Sequence, residues 1–369
     1  MNQLFRWDQT GLFLLALAAG ILPFAVPEVC AAALREGLTL CSGPLLLSLF
    51  PFLVVSRLLI QCPESDLLAL PFRLAAWGIG IRTPCAARVL CIGFLGGFAP
   101  AASAAAQAVR TGQLTAEEAD VLLPACICSG PSFVVLTVGQ SLLGSAELGV
   151  LLFASQITAN YLTAALLNRF AGMHSVKPGS AAPAFPAPPR LDEILADAAI
   201  TYCKLCGFIL FFRMLAAGAG ALLPAGAGTL CAVLLEVCSG CDLASRTGRW
   251  GSLLCCAALS VQGLSVLLQV RTICPPEMTL RPLYRARLLH LPLSLALFYL
   301  LLPGGEADVF STLPARVLLM RRVPPDCALL VFAVCCMAAC TLRSGIRQVE
   351  QKQMARNAGG CCINSKTLL

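Results

Sequence analysis

The most constraining feature of the sequence is residues 121–143, an apolar stretch long enough to cross a bilayer, which takes about 20 residues. Pro124, Gly130 and Pro131 interrupt the stretch, and a proline inside a helix removes an amide donor and clashes with the preceding turn. Backbone groups left unpaired at membrane depth are tolerated only where they are buried in protein or line a cavity. The stretch therefore predicts a broken or re-entrant helix that faces a ligand; a proline kink absorbed by helix packing is the alternative.

The low charge content of the chain indicates the class of protein. Of the 369 residues, 58% are hydrophobic and 12% are charged, whereas soluble domains carry about 25% charged residues. This composition predicts an all-α polytopic membrane protein with about eight membrane segments, each near the length of a bilayer crossing. The net charge of +7 is dispersed between apolar segments, so it indicates a positive-inside bias and no nucleic-acid partner.

The cysteine content does not predict a metal site or a disulfide framework. The chain has 21 cysteines, an odd count, and many of them lie inside apolar runs, where cysteine acts as a small hydrophobic residue. Two CxxC pairs, Cys203/Cys206 and Cys238/Cys241, offer four thiolates that could bind zinc. Both pairs lie in or beside apolar segments, where helical spacing brings cysteines together by chance. We therefore expect no metal and no cofactor.

The order of apolar and polar segments divides the chain into five regions. These are an N-terminal membrane helix and loop (1–42), a first repeat (43–170), a proline-rich linker (171–191), a second repeat (192–302), and a C-terminal membrane helix with a basic tail (303–369). The tail carries five basic residues against Glu350 alone, which places the C-terminus in the cytoplasm.

Finer expectations follow within these regions. Residues 11–26 form a retained first helix rather than a signal peptide, and residues 27–42 form a loop. Thr115 and Glu118 have the spacing of a capping box that starts the next helix. Residues 271–287 form a basic, proline-broken connection before a short span.

The two halves of the chain share an order of features. PFLVVSRLL (51–59) resembles GFILFFRML (207–215), and each places an aromatic residue five positions before an arginine, Arg57 or Arg213. Each half continues with a glycine-rich apolar piece and then a span broken at Gly-x-Ser, at Gly130 or Gly263. Broken helices at matching positions are typical of secondary transporters built from inverted repeats, with the substrate site where the breaks meet. The alternative is that apolar helices look alike.

Charged residues inside apolar runs add to the predicted site. Arg57 and Arg213 could clamp an anion, because an arginine at mid-bilayer costs about 2.5–3.5 kcal/mol unless it has a partner or a cavity. Either arginine could instead snorkel to a headgroup, which we favour for Arg57 near the end of its span. Glu236 could pair with Arg213 or carry a proton. The predicted substrate-binding residues are Ser129, Gly130, Pro131, Ser132, Gln262, Gly263, Ser265, Arg213, Glu236 and Arg57.

An ordered series of motifs resembles the YlbJ-type sporulation integral membrane proteins, which carry the nucleoside-recognition or Gate domain. The series covers most of residues 43–302 and runs FPFLVVSRLL, GGFAPAAS, TGQLTAEEAD, SGPSF, GFILFF, LEVCSG, VQGLSVLLQV and RPLYRARLLH. The chain departs from the family at Ala99 and Ala101, where a proline and a glycine are expected, and at Gly130, where an asparagine is expected. These departures put the specificity or activity of this member in doubt.

The resemblance implies a multi-pass membrane protein of endospore-forming bacteria with a role in spore maturation, moving dipicolinate into the forespore. It implies a place in the outer forespore membrane. Gate domains are similar to parts of concentrative nucleoside transporters, which use paired re-entrant hairpins.

Three functions compete at this point. A transporter of a small anionic or nucleoside-like solute is the first, with the lipid bilayer and the solute as partners. A non-transporting subunit or assembly factor is the second, working as a homo-oligomer or with other sporulation membrane proteins. A membrane enzyme is the third, and we expect no catalytic residues because HExxH, GxSxG, Walker and Rossmann motifs are all missing from the sequence.

Overall fold

The computed structural model describes residues 9–62, 65–170 and 191–302. The predicted linker, apart from its last residue, and the predicted C-terminal helix and tail lie outside these ranges. Every element within the described ranges is a helix, which confirms the all-α class.

The described part of the first half contains nine α-helices and one π-helix. They are α1 (Gln9–Ala25), α2 (Pro27–Ser42), α3 (Pro44–Gln61), α4 (Ser65–Leu68), α5 (Leu70–Ile79), α6 (Pro84–Gly96), α7 (Phe98–Arg110), α8 (Ala116–Cys126), the π-helix (Ser132–Leu142) and α9 (Ala146–Phe170). Thr115 and Glu118 form the predicted capping box, in which the Glu118 amide donates to the Thr115 hydroxyl and the Thr115 amide donates to the Glu118 carboxylate.

The described part of the second half contains six α-helices and a single turn of 3₁₀ helix. They are α10 (Leu191–Leu222), α11 (Ala225–Leu235), α12 (Val237–Ser245), the 3₁₀ turn (Gly248–Trp250), α13 (Gly251–Val261), α14 (Gly263–Ile273) and α15 (Arg281–Leu301).

Several helices have the length and composition of membrane spans. Three segments qualify alone, Ala146–Arg169, Leu191–Leu222 and Gly248–Ile273, the last of which comprises the 3₁₀ turn, α13 and α14. Five qualify if each of two sharply bent pairs counts as one span. The bent pairs are α1 with α2, at 108°, and α5 with α6, at 107°. Leucines that point outward from these helices, such as Leu162, Leu166 and Leu222, are more than 40% exposed, as expected of side chains that face lipid.

Two predicted connections are wrong. Residues 27–42 form the helix α2, not a loop, because Pro27 occupies its first turn and the alanines and leucines that follow favour helix. Part of the predicted connection 271–287 is also helical, since α15 begins at Arg281 with Pro282 in its first turn. Only the proline-containing piece between Ile273 and Arg281 is a connection.

The small residues of α7 let it pack at the centre of the fold. Ala99, Ala101, Ala102, Ala104 and Ala105 are all fully buried, at 0% exposure. Alanine allows helix backbones to approach closely where larger side chains would hold them apart. The helix therefore contacts α3, α6, α8 and α14 together.

One end of the bundle is held together by hydrogen bonds between segments that are distant in sequence. Arg88 donates to the Ile60 carbonyl at 2.7 Å and to Gln113 at 2.9 Å, which joins the end of α3 to the turn between α7 and α8. Asp120 accepts from the Thr279 amide at 2.9 Å, which brings the segment before α15 to the same end. This end, where Ile60, Arg88, Gln113, Asp120 and Thr279 lie, is called the basic end below.

Candidate functional site

The predicted break in residues 121–143 is confirmed. Helix α8, with Pro124 inside it, ends at Cys126, the chain runs without helix over residues 127–130, and the π-helix starts at Ser132. A π-helix of this length is rare and such segments are frequent at functional sites. Here Gly139 packs against α9 so closely that a Cβ on it would lie 2.5 Å from the Gly149 Cα.

A second break, which the sequence analysis missed, faces the first one. Gly97 separates α6 from α7 with φ 81° and ψ −163°, a conformation open only to glycine. A Cβ on Gly97 would lie 2.6 Å from the Gly130 nitrogen, so the two backbones are in direct contact. The sequence signal was Gly96-Gly97 itself, within the glycine-rich apolar piece of the first half.

The second half contains the same arrangement. The break predicted near Gly263 is confirmed, because Gln262 lies in the left-handed region with φ 65° between α13 and α14. Glu236 forms a further break between α11 and α12. A Cβ on Gly263 would lie 2.9 Å from the Glu236 nitrogen and 2.9 Å from the Leu235 oxygen, so these breaks also touch.

Residues beside these breaks line a common inner cavity of about 60 Å³. Its lining is Leu45, Leu49, Leu95, Gly96, Phe98, Ser129, Gly130, Ser132, Phe133, Ile209, Glu236, Val237, Cys238, Val266 and Gln269. Of the predicted site residues, the structure thus brings Ser129, Gly130, Ser132 and Glu236 to one cavity. The walls are mainly apolar and aromatic, as in small-molecule sites generally.

Four half-helix N-termini lie at or beside the inner cavity, and α14 reaches it only from Val266 onward. Glu236, 2% exposed, caps one of them, because its carboxylate accepts from the Cys238 amide at 2.9 Å and the Ser239 amide at 2.7 Å. The other three, α7, the π-helix and α14, have no side-chain cap. Uncapped amides at a helix N-terminus carry partial positive charge. The cavity therefore combines one carboxylate with three electropositive helix ends.

A buried arginine holds the opposite, electronegative ends of two half-helices. Arg287 of α15 is 8% exposed and donates to the Ile127 carbonyl at 2.6 Å and, more weakly, to the Ser260 carbonyl at 3.4 Å. These carbonyls lie at the C-terminal ends of α8 and α13. Sequence reasoning missed this role because Arg287 lay in the predicted connection. The run of helix-forming residues between Arg281 and Arg287 was the signal that Arg287 lies within a helix.

A polar seam continues from Arg287 between α9, α13 and α15. Gln156 donates to the Ser260 hydroxyl at 3.0 Å, and the Gln156 carbonyl lies 3.2 Å from the His290 ring. Ser260 and Ser294 share a further hydrogen bond. These side chains are buried and join α9 of the first half to α15 of the second.

A basic pocket of about 170 Å³ lies beside the inner cavity, between α3, α7, α10 and α14. Its polar lining includes Arg57, Arg110, Asp197, Lys204 and Gln269. Gln269 also lines the inner cavity, so one side chain separates the two spaces. Arg57 does not snorkel freely, since it pairs with Asp197 at 2.5 Å.

The remaining predicted residues lie outside the lining of both spaces. Arg213 pairs with Glu36 of α2 at 2.7 Å, and the Glu236 carboxylate accepts from backbone amides, so the possible Arg213–Glu236 pair is not formed. Ser265 accepts from the Gln269 amide at 2.8 Å. Gln262 is 1% exposed and its amide has no hydrogen-bond partner in the described part of the chain.

Two remaining predicted residues form the backbone of the breaks. Pro131 begins the turn that leads into the π-helix, and Gly263 lets the start of α14 pack closely against the Glu236 backbone.

Comparison with known proteins assigns no family. No protein-family model, no curated protein and no solved structure matches the chain. Within the described ranges, no group of three or more histidine, cysteine, aspartate or glutamate side chains converges on a point that could hold a metal ion.

Proposed function

We propose that this membrane protein moves a small solute across the bilayer through the inner cavity. The observation that carries the proposal is the meeting of helix breaks from both halves at or beside that cavity, where three of the four N-terminal turns have no side-chain cap. Irregular backbone at membrane depth is expensive unless it lines a cavity, and transporters use it to contact substrate.

We infer that the two halves are inverted repeats. The corresponding pairs are α3 with α10, the α6–α7 hairpin with α11–α12, α8 and the π-helix with α13 and α14, and α9 with α15. In each half the break of the hairpin rests on the break of the following helix, Gly97 on Gly130 and Glu236 on Gly263. The α6–α7 hairpin opens at the basic end, whereas α11 follows the far end of α10, as inversion requires.

The lining of the cavity favours a solute with a flat apolar body and an anionic group. Phe98 and Phe133 provide aromatic walls, and the uncapped helix N-termini attract negative charge. Dipicolinate, which the resemblance to YlbJ-type proteins implies, has this chemistry. If dipicolinate is the solute, the proposed role of the protein is in spore maturation at the outer forespore membrane.

A nucleoside is the second candidate, and Glu236 is the observation that favours it. A buried carboxylate accepts hydrogen bonds from hydroxyl and amino groups, which a nucleoside carries and a dicarboxylate lacks. In either case the cavity must widen, because about 60 Å³ holds only a few water molecules. The described conformation is therefore a closed one.

The orientation follows from the distribution of basic residues. The basic end carries Arg57, Arg82, Arg88, Arg110, Lys204, Arg271 and Arg281. By the positive-inside rule, this distribution favours a cytoplasmic location for the basic end. Helix α15 runs away from it, so one crossing by the predicted C-terminal membrane helix returns the tail to the cytoplasm as well.

Uptake by the purified protein in liposomes tests the proposal. Dipicolinate, nucleosides and other small anions are supplied outside, and accumulation is compared with empty liposomes. Saturable uptake of one solute class supports transport. Folded protein that takes up none of them indicates instead a subunit or assembly factor that acts only with partners.

A further inference from the structure

The basic pocket has features that the proposed transport site does not use. It opens at the basic end, where Arg110, Lys204 and Asp197 are exposed, and it narrows to buried residues, with Ser103 at 3% and Gln269 at 2% exposure. The charged groups thus surround the mouth of the pocket, and neutral polar groups lie at its inner end.

The charge of the pocket is positive. Three cations, Arg57, Arg110 and Lys204, line it against one carboxylate, Asp197. That carboxylate is already engaged by Arg57 at 2.5 Å. Neither Arg110 nor Lys204 pairs with a carboxylate in the described part of the chain. Two cations are therefore left to face the pocket, and opposite charge is the ligand they favour.

The inner end of the pocket joins it to the transport cavity. The Gln269 amide donates to the Ser265 hydroxyl at 2.8 Å, while its oxygen has no partner in the described part of the chain. Because a serine hydroxyl can also donate, the amide can rotate and present either its oxygen or its NH₂ group to a passing solute. Gln269 is the partition between a basic outer space and a largely apolar inner one.

We propose that the basic pocket binds a soluble oxyanion, a carboxylate or phosphate, through Arg110 and Lys204 before the solute passes Gln269. The binding does not require that the protein transports anything; the role of the pocket as an entry site rests on the proposed function. An anionic lipid headgroup offers the same phosphate chemistry, and the experiment separates the two sources.

The test measures binding of inorganic phosphate to the purified full-length protein in a neutral detergent, by line broadening of the phosphate ³¹P signal. We expect saturable binding that weakens with added chloride. Replacing both cations (Arg110→Gln with Lys204→Gln) weakens it about tenfold, and either single change about threefold, because each exposed charge contact contributes modestly and is screened by salt. Both side chains are exposed, so the variants retain the wild-type unfolding temperature.

Arg82→Gln is the matched control, because it removes one exposed positive charge at the same end but outside the pocket. Phosphate affinity equal to that of the wild type is expected. Absence of phosphate binding, or equal weakening by Arg82→Gln and Arg110→Gln, overturns the proposal. Selective broadening by the wild type of a short-chain phosphatidylglycerol signal, with none for phosphate, also overturns it and assigns the pocket to lipid.

The phosphate-binding test and the transport proposal can succeed or fail separately. Phosphate binding that is lost in the double variant, in a protein without uptake, supports the pocket and removes the transport proposal. Equal uptake by the wild type and the double variant, with no phosphate binding by either protein, removes the pocket proposal and leaves the transport proposal standing.

Discussion

Replacing Gly97 by alanine tests the contact between the first two breaks. The new Cβ would lie 2.6 Å from the Gly130 nitrogen and 2.9 Å from its Cα, both of which are backbone atoms that cannot turn away. The substitution also forces a side chain into the glycine-only region at φ 81° and ψ −163°. Both effects act at the point where the hairpin rests on the broken helix.

The loss of stability can be calculated from these two effects. Backbone strain in a glycine-only region is about 1–3 kcal/mol. Forcing one extra carbon into a packed interior adds about 1–3 kcal/mol. We therefore expect Gly97→Ala to lower the free energy of unfolding by about 2–6 kcal/mol. Gly263→Ala is expected to act in the same direction, since its Cβ would lie 2.9 Å from two backbone atoms of the facing break.

The assay is thermal unfolding of the purified protein in detergent, with Gly207→Ala as control. Gly207 lies within α10 and a Cβ there meets no atom within 4 Å, so alanine should be neutral or stabilising. We expect Gly97→Ala to unfold at a clearly lower temperature than both the wild type and the control. Equal unfolding temperatures for Gly97→Ala and Gly207→Ala would refute the contact between the breaks.

Three further predictions concern charge. Arg287→Met should lower the free energy of unfolding by about 1–3 kcal/mol in the same thermal assay, because it leaves two buried carbonyls without their donor. The stability of Arg287→Lys should lie between those of the wild type and Arg287→Met. Glu236→Gln should lower the free energy of unfolding by about 0.5–2 kcal/mol, because glutamine is a weaker helix cap. It should also raise the affinity for an anionic solute, measured by uptake at low concentration. Unchanged anion affinity would contradict the placement of the carboxylate in the cavity. Cys361 and Cys362 should resist an impermeant thiol reagent in intact cells, and rapid labelling would place the tail outside.

Local chemistry made part of the fold predictable from the sequence. The capping box at Thr115 and the break before Ser132 both depend on residues a few positions apart, so spacing alone identifies them. The membrane class was indicated by the ratio of apolar to charged residues, which departs strongly from that of soluble domains. The break at Gly263 was predictable because a Gly-x-Ser interrupts an apolar run.

What could not be predicted depends on partners distant in sequence. Arg213 reaches Glu36, 177 positions away, and nothing in the local pattern distinguishes that carboxylate from Glu236. The break at Gly97 is set by the facing Gly130 backbone, and a glycine pair alone is equally consistent with helix packing. Arg287 gains its role from two carbonyls that meet only in the folded bundle.

The central claim is that solute passes through the inner cavity, and filling that cavity tests it most directly. Ser132 is half-buried in the cavity lining, whereas Ser141 is exposed at the far end of the same π-helix. Uptake into liposomes is measured for Ser132→Leu and for the control Ser141→Leu, each checked for wild-type unfolding temperature. We expect Ser132→Leu to abolish uptake and Ser141→Leu to retain it. Uptake by Ser132→Leu at the wild-type rate would contradict the claim.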